Sequence, residues 1–287
     1  MVAGFFLNLV LDPWFIFGGL GLPALGIHGI AWATVAVQAI GVLYGGYEVA
    51  KSGLLTWESI RQDLRPQFSV FGRLINQGMP ATIDIMGVSV GFFILNTYVS
   101  PFGQDAVAAL GAGSRIEQVA LLPVLGVNTA MLALVSQNNG AGKVDRIYET
   151  LYVGMRYGVG LMLTTMVLAM IFARPLMSMF TNNPVIVDTG VVYIRIRTMA
   201  LAGSAIFFAG ANVLRGLKRP YWPLVWNMLR FILLPWSLIV LFVVWLDYGL
   251  TAIWVVSTIS FYVGAAGALY TAFQYLPPRE KETAHVV

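Results

Sequence analysis

The chain has 287 residues, 58% of them hydrophobic and 10% charged, with a mean hydropathy of +0.78. Soluble domains carry about 25% charged residues, so this composition predicts an all-α integral membrane protein. There is no cysteine and only two histidines, His28 and His285, which excludes a disulfide framework, a thiolate or multi-histidine metal site and a cysteine nucleophile; the net charge of +4 does not suggest nucleic acid as a partner.

A spanning helix needs about 20 mainly apolar residues. Eight stretches are read as spans: 1–18, 29–49, 79–100, 117–136, 151–173, 189–213, 222–246 and 250–275. The breaks carry turn chemistry or charge, such as GGLGLPALG at 18–26, SPFGQD at 100–105, NNGAGK at 138–143, TNNP at 181–184 and RGLKRP at 215–220. The stretch 54–75 is amphipathic and is expected to lie along the interface. No basic segment precedes the first apolar run, so a cleaved signal peptide is not expected. Met1 opens directly into a helix, which reads as an incomplete chain.

Positive residues set the orientation. Lys51, Arg61, Arg65 and Arg73, then Lys143, Arg146 and Arg156, then Arg215, Lys218, Arg219 and Arg230, then Arg279 and Lys281 fall on one side, making 13 of the 17 basic residues. Only Arg115, Arg174, Arg195 and Arg197 fall on the other. Cytoplasmic loops are rich in Lys and Arg, so the larger set is placed inside. An even number of spans then puts both termini in the cytoplasm of a multi-pass inner-membrane protein.

Asp12 is the most informative residue. It sits in MVAGFFLNLVLDPWFIFGG, whose first 18 residues hold no other charge. An Asp at the centre of a membrane helix costs roughly 2.5–3.5 kcal/mol, so such a residue points to an ion, proton or substrate path; the alternative is a helix-end residue reaching headgroup water. Asn8 lies four residues earlier, on the same helix face. Pro13 cannot donate to the carbonyl of Leu9, which predicts a kink and a free acceptor. Carboxylate, amide oxygen and free carbonyl would form an oxygen cluster for Na+ or a proton.

Other polar residues are read more plainly. Asp84, one turn after Gly78-Met79-Pro80, is expected near the start of its helix in a structural role. Glu117 and Arg115 read as an interfacial pair, and Arg195 and Arg197 as side chains that snorkel outward. Asn96, Asn128, Gln38 and Asn212 either line a cavity or join helices. The aromatic and methionine side chains can build an adaptable apolar pocket, although membrane proteins use the same residues for interfacial belts.

NLVLDPW (8–14) followed by GIAWATV (29–35) is similar to NMLRFILLPW (227–236) followed by GLTAIWV (249–255). Both pairs start inside, as in the parallel repeats of some transporters. An offset of six helices implies a twelve-helix plan, of which eight are present.

At these residues the chain resembles the multidrug and toxic compound extrusion (MATE) family. Asn8, Asp12, Pro13 and GIAWAT (29–34) resemble its fifth and sixth helices, GAGSRIEQVALLPVLG (111–126) its eighth, and QNNGAGK (137–143) and NVLRGLKRP (212–220) its cytoplasmic connections. The resemblance implies helices five to twelve. Residues 1–50 would be the last two helices of an N-terminal lobe, 51–78 a cytoplasmic amphipathic linker, 79–276 a complete six-helix C-terminal lobe, and 277–287 a cytoplasmic tail.

Members of that family exchange H+ or Na+ for organic cations and other amphipathic compounds by rocking two lobes. The prokaryotic cation site uses an Asp of the first helix, the Asn and Asp of the fifth and a Thr of the sixth. Asn8, Asp12 and Thr34 match the last three, and the first-helix Asp has no counterpart here. Some members carry acids on the seventh and tenth helices. Asp84 lies on the matching seventh helix, with Asn96 and Asn128 as further cavity candidates, while 189–213 contains no acid.

The resemblance thus implies secondary multidrug efflux, not an enzyme, with H+ or Na+ as coupling ion and no other cofactor. The implied partners are the lipid bilayer and small amphipathic or cationic drug-like molecules, and a complete protein would be a monomer. The alternatives are a non-transporting fragment and a flippase for lipid-linked precursors, whose basic central cavity is not evident in the sequence. A membrane-embedded enzyme would need convergent His, Asp or Glu residues, and none cluster here.

Overall fold

In a computed structural model of the chain, the described residues are 2–18, 24–53 and 68–278, and the elements they form are helical. They divide into two compact units, Met1–Phe71 and Gly72–Val287. Most of the expected interfacial stretch, residues 54–67, lies outside the described residues, as does the tail from 279 onward. Residues 68–75 form the first turns of a long helix.

The first unit is a helical hairpin of α1 (Val2–Phe17) and α2 (Ile27–Lys51). The amides of Leu25 and Gly26 donate to the carbonyls of Phe15 and Ile16 at 3.1 and 3.2 Å, which folds the connection back onto α1. Gly29 sits at the tightest point: a Cβ there would lie 2.4 Å from the Phe15 carbonyl oxygen, so only glycine lets the backbones approach. Gly29, Ala33 and Val37 form the buried stripe of α2 at spacing i, i+4, i+8.

The second unit contains α3 (Phe68–Val99), α4 (Gln104–Gly140), α5 (Val144–Ile171), the short α6 (Ala173–Ser178), α7 (Pro184–Arg197), α8 (Ala200–Gly216), α9 (Tyr221–Trp245) and α10 (Leu250–Tyr275). Among the described residues six helices are long and apolar enough to cross a bilayer, or seven if the bent pair α7–α8 counts as one span. α1, at 16 residues, is shorter than the roughly 20 a bilayer needs.

Several boundaries differ from the sequence reading for local reasons. α4 starts at Gln104 rather than near 117, because Gly103, at φ 102°, ends the preceding turn and Ala106, Ala109 and Gly113 pack as a helical face. The 189–213 segment is two helices bent by 40°. Asn183 caps the first, accepting the Val185 amide at 3.0 Å, with Pro184 in the first helical position. At the bend, Thr198 turns its hydroxyl back onto the Ile194 carbonyl at 2.7 Å, a bond that bends helices. Carbonyls at the bend take further donors from α10: Thr258 donates to Ile196 at 3.3 Å, beside the Met199 amide at 3.2 Å, and Tyr262 to Met199 at 2.6 Å. Inside a membrane such side-chain donors help satisfy the backbone of a broken helix.

α9 is also irregular. Pro235 has no N–H to give the ladder, and Leu229–Leu233 winds as a π-helical turn just before it. α8 and α10 are the most enclosed helices and meet backbone to backbone, since a Cβ on Gly210 would lie 2.8 Å from the Ala268 carbonyl carbon. Two apolar cores cap the unit. One gathers Leu110, Tyr193, Ile239 and Trp254; the other gathers Val135, Leu151, Val213 and Ala272. On α4 and α10 the residues lining a cavity that Glu117, Arg197 and Arg230 share fall largely between those two cores, partway along the bundle.

Candidate functional site

Two places concentrate polar groups, one in each unit. In the first unit, Asn8 and Asp12 stand one turn apart on α1, immediately before Pro13. Both are half-buried. The Oδ1 atom of each is enclosed and has no hydrogen-bond partner among the described residues. Two enclosed acceptors without donors fit a proton or a hard cation, which oxygen ligands bind. Thr34, half-buried beside Ala33 on α2, spends its hydroxyl proton on the Ile30 carbonyl at 2.9 Å, leaving its oxygen as an acceptor. No hydrogen bond among the described residues joins Thr34 to Asn8 or Asp12.

In the second unit, a cavity of about 180 Å³ is walled by α3, α4, α7, α8, α9 and α10. One side is an ion pair. Glu117 accepts from Arg197 Nη2 at 2.6 Å and Nε at 3.3 Å, and from the Tyr193 hydroxyl at 2.8 Å. The geometry follows from two matched i, i+4 pairs. Gly113 and Glu117 lie one turn apart on α4, Tyr193 and Arg197 one turn apart on α7. A Cβ on Gly113 would come within 2.4 Å of the Tyr193 ring, so glycine lets the ring lie flat against α4. Trp254 holds the ring edge-on from its other side, with centroids 4.9 Å apart.

This overturns three expectations. Arg197 does not snorkel outward; it is 6% exposed and points inward, whereas Arg195 is exposed. Glu117 pairs with Arg197 rather than with Arg115, because α4 begins at Gln104, about three and a half turns earlier than expected, and places residue 117 on its inward face. The cavity is also lined by basic side chains, which the sequence did not reveal.

The other basic residue is Arg230. It was counted among the cytoplasmic positives, but it is 3% exposed and lies on the π-helical turn of α9. Its Nε donates to Asn227 Oδ1 at 2.7 Å. Its guanidinium carbon lies 3.5 Å from the centre of the Phe207 ring and 4.8 Å from those of both Phe231 and Phe261. Room for the side chain comes from Gly264, where a Cβ would lie 2.8 Å from that of Arg230. Gly91 allows α3 to close the wall, since a Cβ there would lie 2.6 Å from the Phe231 carbonyl oxygen.

Asp84 lies well inside α3, not at a helix start, because the helix begins at Phe68. Its Oδ2 accepts from Arg215 Nη2 at 2.7 Å, and the two line a second cavity with Pro80 and Ser136. Its Oδ1 is enclosed and unpartnered among the described residues. Asn128 joins α4 to α8: Asn212 Nδ2 donates to its side-chain and main-chain oxygens at 2.9 and 3.2 Å. Asn96 is half-buried on α3 and is not among the residues lining the cavity that holds Arg197 and Arg230. The signal that could have found Arg230 is the one used for Asp12, a lone charge inside an apolar run before a proline.

Comparison with known proteins places this architecture. Residues 80–241, more than half of the chain, match the family described as MatE. The FAD transporter of Shewanella oneidensis is 28% identical over 235 residues, covering 82% of this chain and 52% of that protein. The probable multidrug resistance protein YpnP of Bacillus subtilis is 27% identical over 240 residues, covering 84% and 52%. The chain thus spans about half the length of these curated relatives. Among solved structures, a MOP superfamily transporter from Pyrococcus furiosus, described as having a binding pocket of reversed polarity that suggests a different function, superposes with a TM-score of 0.87 at 22% identity, over 96% of this chain and 61% of that one. A MATE structure in complex with MaL6 superposes at 0.86 and 21% identity, over 96% and 61%. The fold is that of the solved MATE structures, in a multi-pass inner-membrane protein, and the chain belongs to the MatE family.

Proposed function

We propose that the chain forms part of a secondary active transporter that exchanges H+ or Na+ for organic cations or other amphipathic compounds by alternating access, and that it is not an enzyme. Residues 1–50 are the last two helices of an N-terminal lobe, 51–78 a cytoplasmic linker, 79–276 a six-helix C-terminal lobe and 277–287 a cytoplasmic tail. Eight spans leave both termini in the cytoplasm. The positive-inside count supports that orientation even after Arg230 and Arg197, one from each side, are removed as buried residues.

The observation that carries the reading is the pair of donor-less oxygens on Asn8 and Asp12, one turn apart before a helix-interrupting proline. A carboxyl in that setting holds a proton or Na+ in one state and a bare charge in the other. Its two states give α1 two different partners, which is what ion-driven alternation requires. The FAD transporter among the relatives and the Pyrococcus furiosus protein with its reversed pocket support a substrate range that is not confined to cations.

The test is efflux of ethidium and of an anionic fluorophore from cells expressing the gene at its own locus, with imposed proton or sodium gradients. Gradient-dependent efflux that Asp12→Asn abolishes is the expected result. Unchanged efflux by Asp12→Asn would remove that carboxylate from the mechanism. Absence of gradient-dependent efflux with the native chain would favour a non-transporting fragment.

A further inference from the structure

We propose that the cavity walled by α3, α4, α7, α8, α9 and α10 binds an amphipathic monoanion, its carboxylate, sulfonate or phosphate head seated on Arg230 and its apolar body against the surrounding phenylalanines. Charge matching is the first argument. Three arginines and two carboxylates lie in this part of the bundle. Glu117 gives both oxygens to Arg197 and Tyr193, and Asp84 is held by Arg215. That leaves Arg230, which forms no ion pair among the described residues and whose one hydrogen bond there goes to the neutral amide of Asn227.

Donor matching is the second. A guanidinium carries five N–H donors, and aromatic faces attract its charge without accepting those bonds in the plane. Nη1 of Arg230 is enclosed and unpartnered, and so is Nη1 of Arg197, which lines the same cavity. Ser204 and Ser257 spend their hydroxyl protons on the carbonyls of Ala200 and Ile253 at 3.0 and 2.7 Å, and neither oxygen accepts from the two free guanidinium nitrogens. A cavity whose enclosed, unpartnered side-chain atoms are donors attached to excess positive charge selects a ligand of acceptors and negative charge. Phe92, Phe208, Phe231 and Phe261, with Leu95 and Leu121, make the rest of the wall largely apolar, which suits a flat apolar body. The π-helical turn that carries Arg230 is itself a local irregularity of the kind found at functional sites.

As a statement about substrate class this rests on the transport reading, but binding does not require transport. The native protein and its variants would be placed in phosphatidylcholine nanodiscs, whose surface is neutral overall. Fluorescence anisotropy would then follow 1-pyrenesulfonate and 1-pyrenemethylammonium, which share one ring system and differ in charge. The anionic probe is expected to bind at least tenfold more tightly. Arg230→Gln should remove that preference, Arg230→Lys should keep most of it, and the exposed Arg195→Gln should leave it intact. Equal affinity for the two probes, a preference for the cation, or an unchanged preference in Arg230→Gln would each overturn the proposal.

If Arg230→Gln does not fold, competition on the native protein decides. Displacement of 1-pyrenesulfonate by 1-naphthoate but not by 1-naphthylmethylammonium supports the site, and displacement by neither or by both equally overturns it. Dihexanoylphosphatidylglycerol as an added competitor separates the sources: its displacing the probe as naphthoate does admits a lipid head as occupant, and its failing to do so restricts the site to free anions. Loss of gradient-driven efflux with anion binding intact would sink the transport reading alone. Loss of the anion preference with efflux intact would sink this assignment alone.

Discussion

Replacing Glu117 by Gln tests whether the inward-facing ion pair holds the second unit together. The carboxylate accepts three bonds, at 2.6, 2.8 and 3.3 Å, and its side chain and that of Arg197 are only 13% and 7% exposed. Gln keeps the shape and one acceptor but sets an amide donor against the remaining Tyr193 and Arg197 donors. Three ordinary interhelical bonds at about 0.6 kcal/mol each give a floor near 2 kcal/mol. Leaving one buried charge without its partner costs about 3–5 kcal/mol. The Phe261 ring, 4.7 Å from the Arg197 guanidinium carbon, retains part of the attraction. The expected destabilisation is therefore about 3 kcal/mol, near the lower end of that range.

Unfolding in mixed micelles by dodecyl sulfate measures this change, with tryptophan fluorescence as one probe because Trp254 packs on Tyr193. A paired variant, Glu117→Leu with Arg197→Met, should recover much of the loss, since replacing a buried ion pair by apolar groups is often neutral. A Glu117→Gln protein within about 0.5 kcal/mol of native would refute the reasoning, placing the pair among surface-like sites. So would a double variant less stable than the single one.

Asp84→Asn, measured the same way, should cost about 1–2 kcal/mol, less than Glu117→Gln, because that carboxylate makes a single 2.7 Å bond to an arginine side chain that is 27% exposed. Gly91→Ala and Gly210→Ala should each lose about 1–3 kcal/mol from forced backbone separation, whereas Gly160→Ala, with no atom within 4 Å of the added methyl, should not destabilise. Thr258→Val and Tyr262→Phe each remove a donor to the α7–α8 bend; losses of about 0.6–1.7 kcal/mol and faster amide exchange at residues 200–203 are the expected readouts.

Most of the spans are legible because a lipid solvent imposes a crude rule, about 20 apolar residues per crossing, and the loops advertise themselves through Gly, Pro, Asn and charge; among the described residues six or seven helices, not eight, are long and apolar enough. What could not be read were events with no signature in hydropathy. The α7–α8 bend is joined to α10 by Thr258 and Tyr262, more than fifty residues away, which donate to its carbonyls. The long start of α4 depends on Ala106, Ala109 and Gly113 being small enough to pack against neighbours. For the polar residues, sequence distinguishes an expensive charge from a cheap one but not its partner. Glu117, Arg197 and Tyr193 become one unit only when α4 and α7 cross. Asn128 and Asn212 become glue only when α4 meets α8.

Arg230 escapes a sequence reading for a different reason: it lies near the basic cluster Arg215, Lys218 and Arg219 and is counted with it. Yet its surroundings parallel those of Asp12. In α1 an asparagine precedes the charged residue by one turn and a proline interrupts the ladder just after it. In α9 Asn227 precedes Arg230 by three residues, its amide oxygen holds the guanidinium, and Pro235 follows the π-helical turn. The two segments are also the two that looked alike in sequence. Their charges are opposite. A carboxylate with one enclosed oxygen that lacks a donor suits a small cation, while a guanidinium with one enclosed nitrogen that lacks an acceptor suits an anion. One local plan, a polar residue and a charge beside a proline-broken turn, would then serve ligands of either sign under the two proposals, depending on which charged side chain occupies the later position.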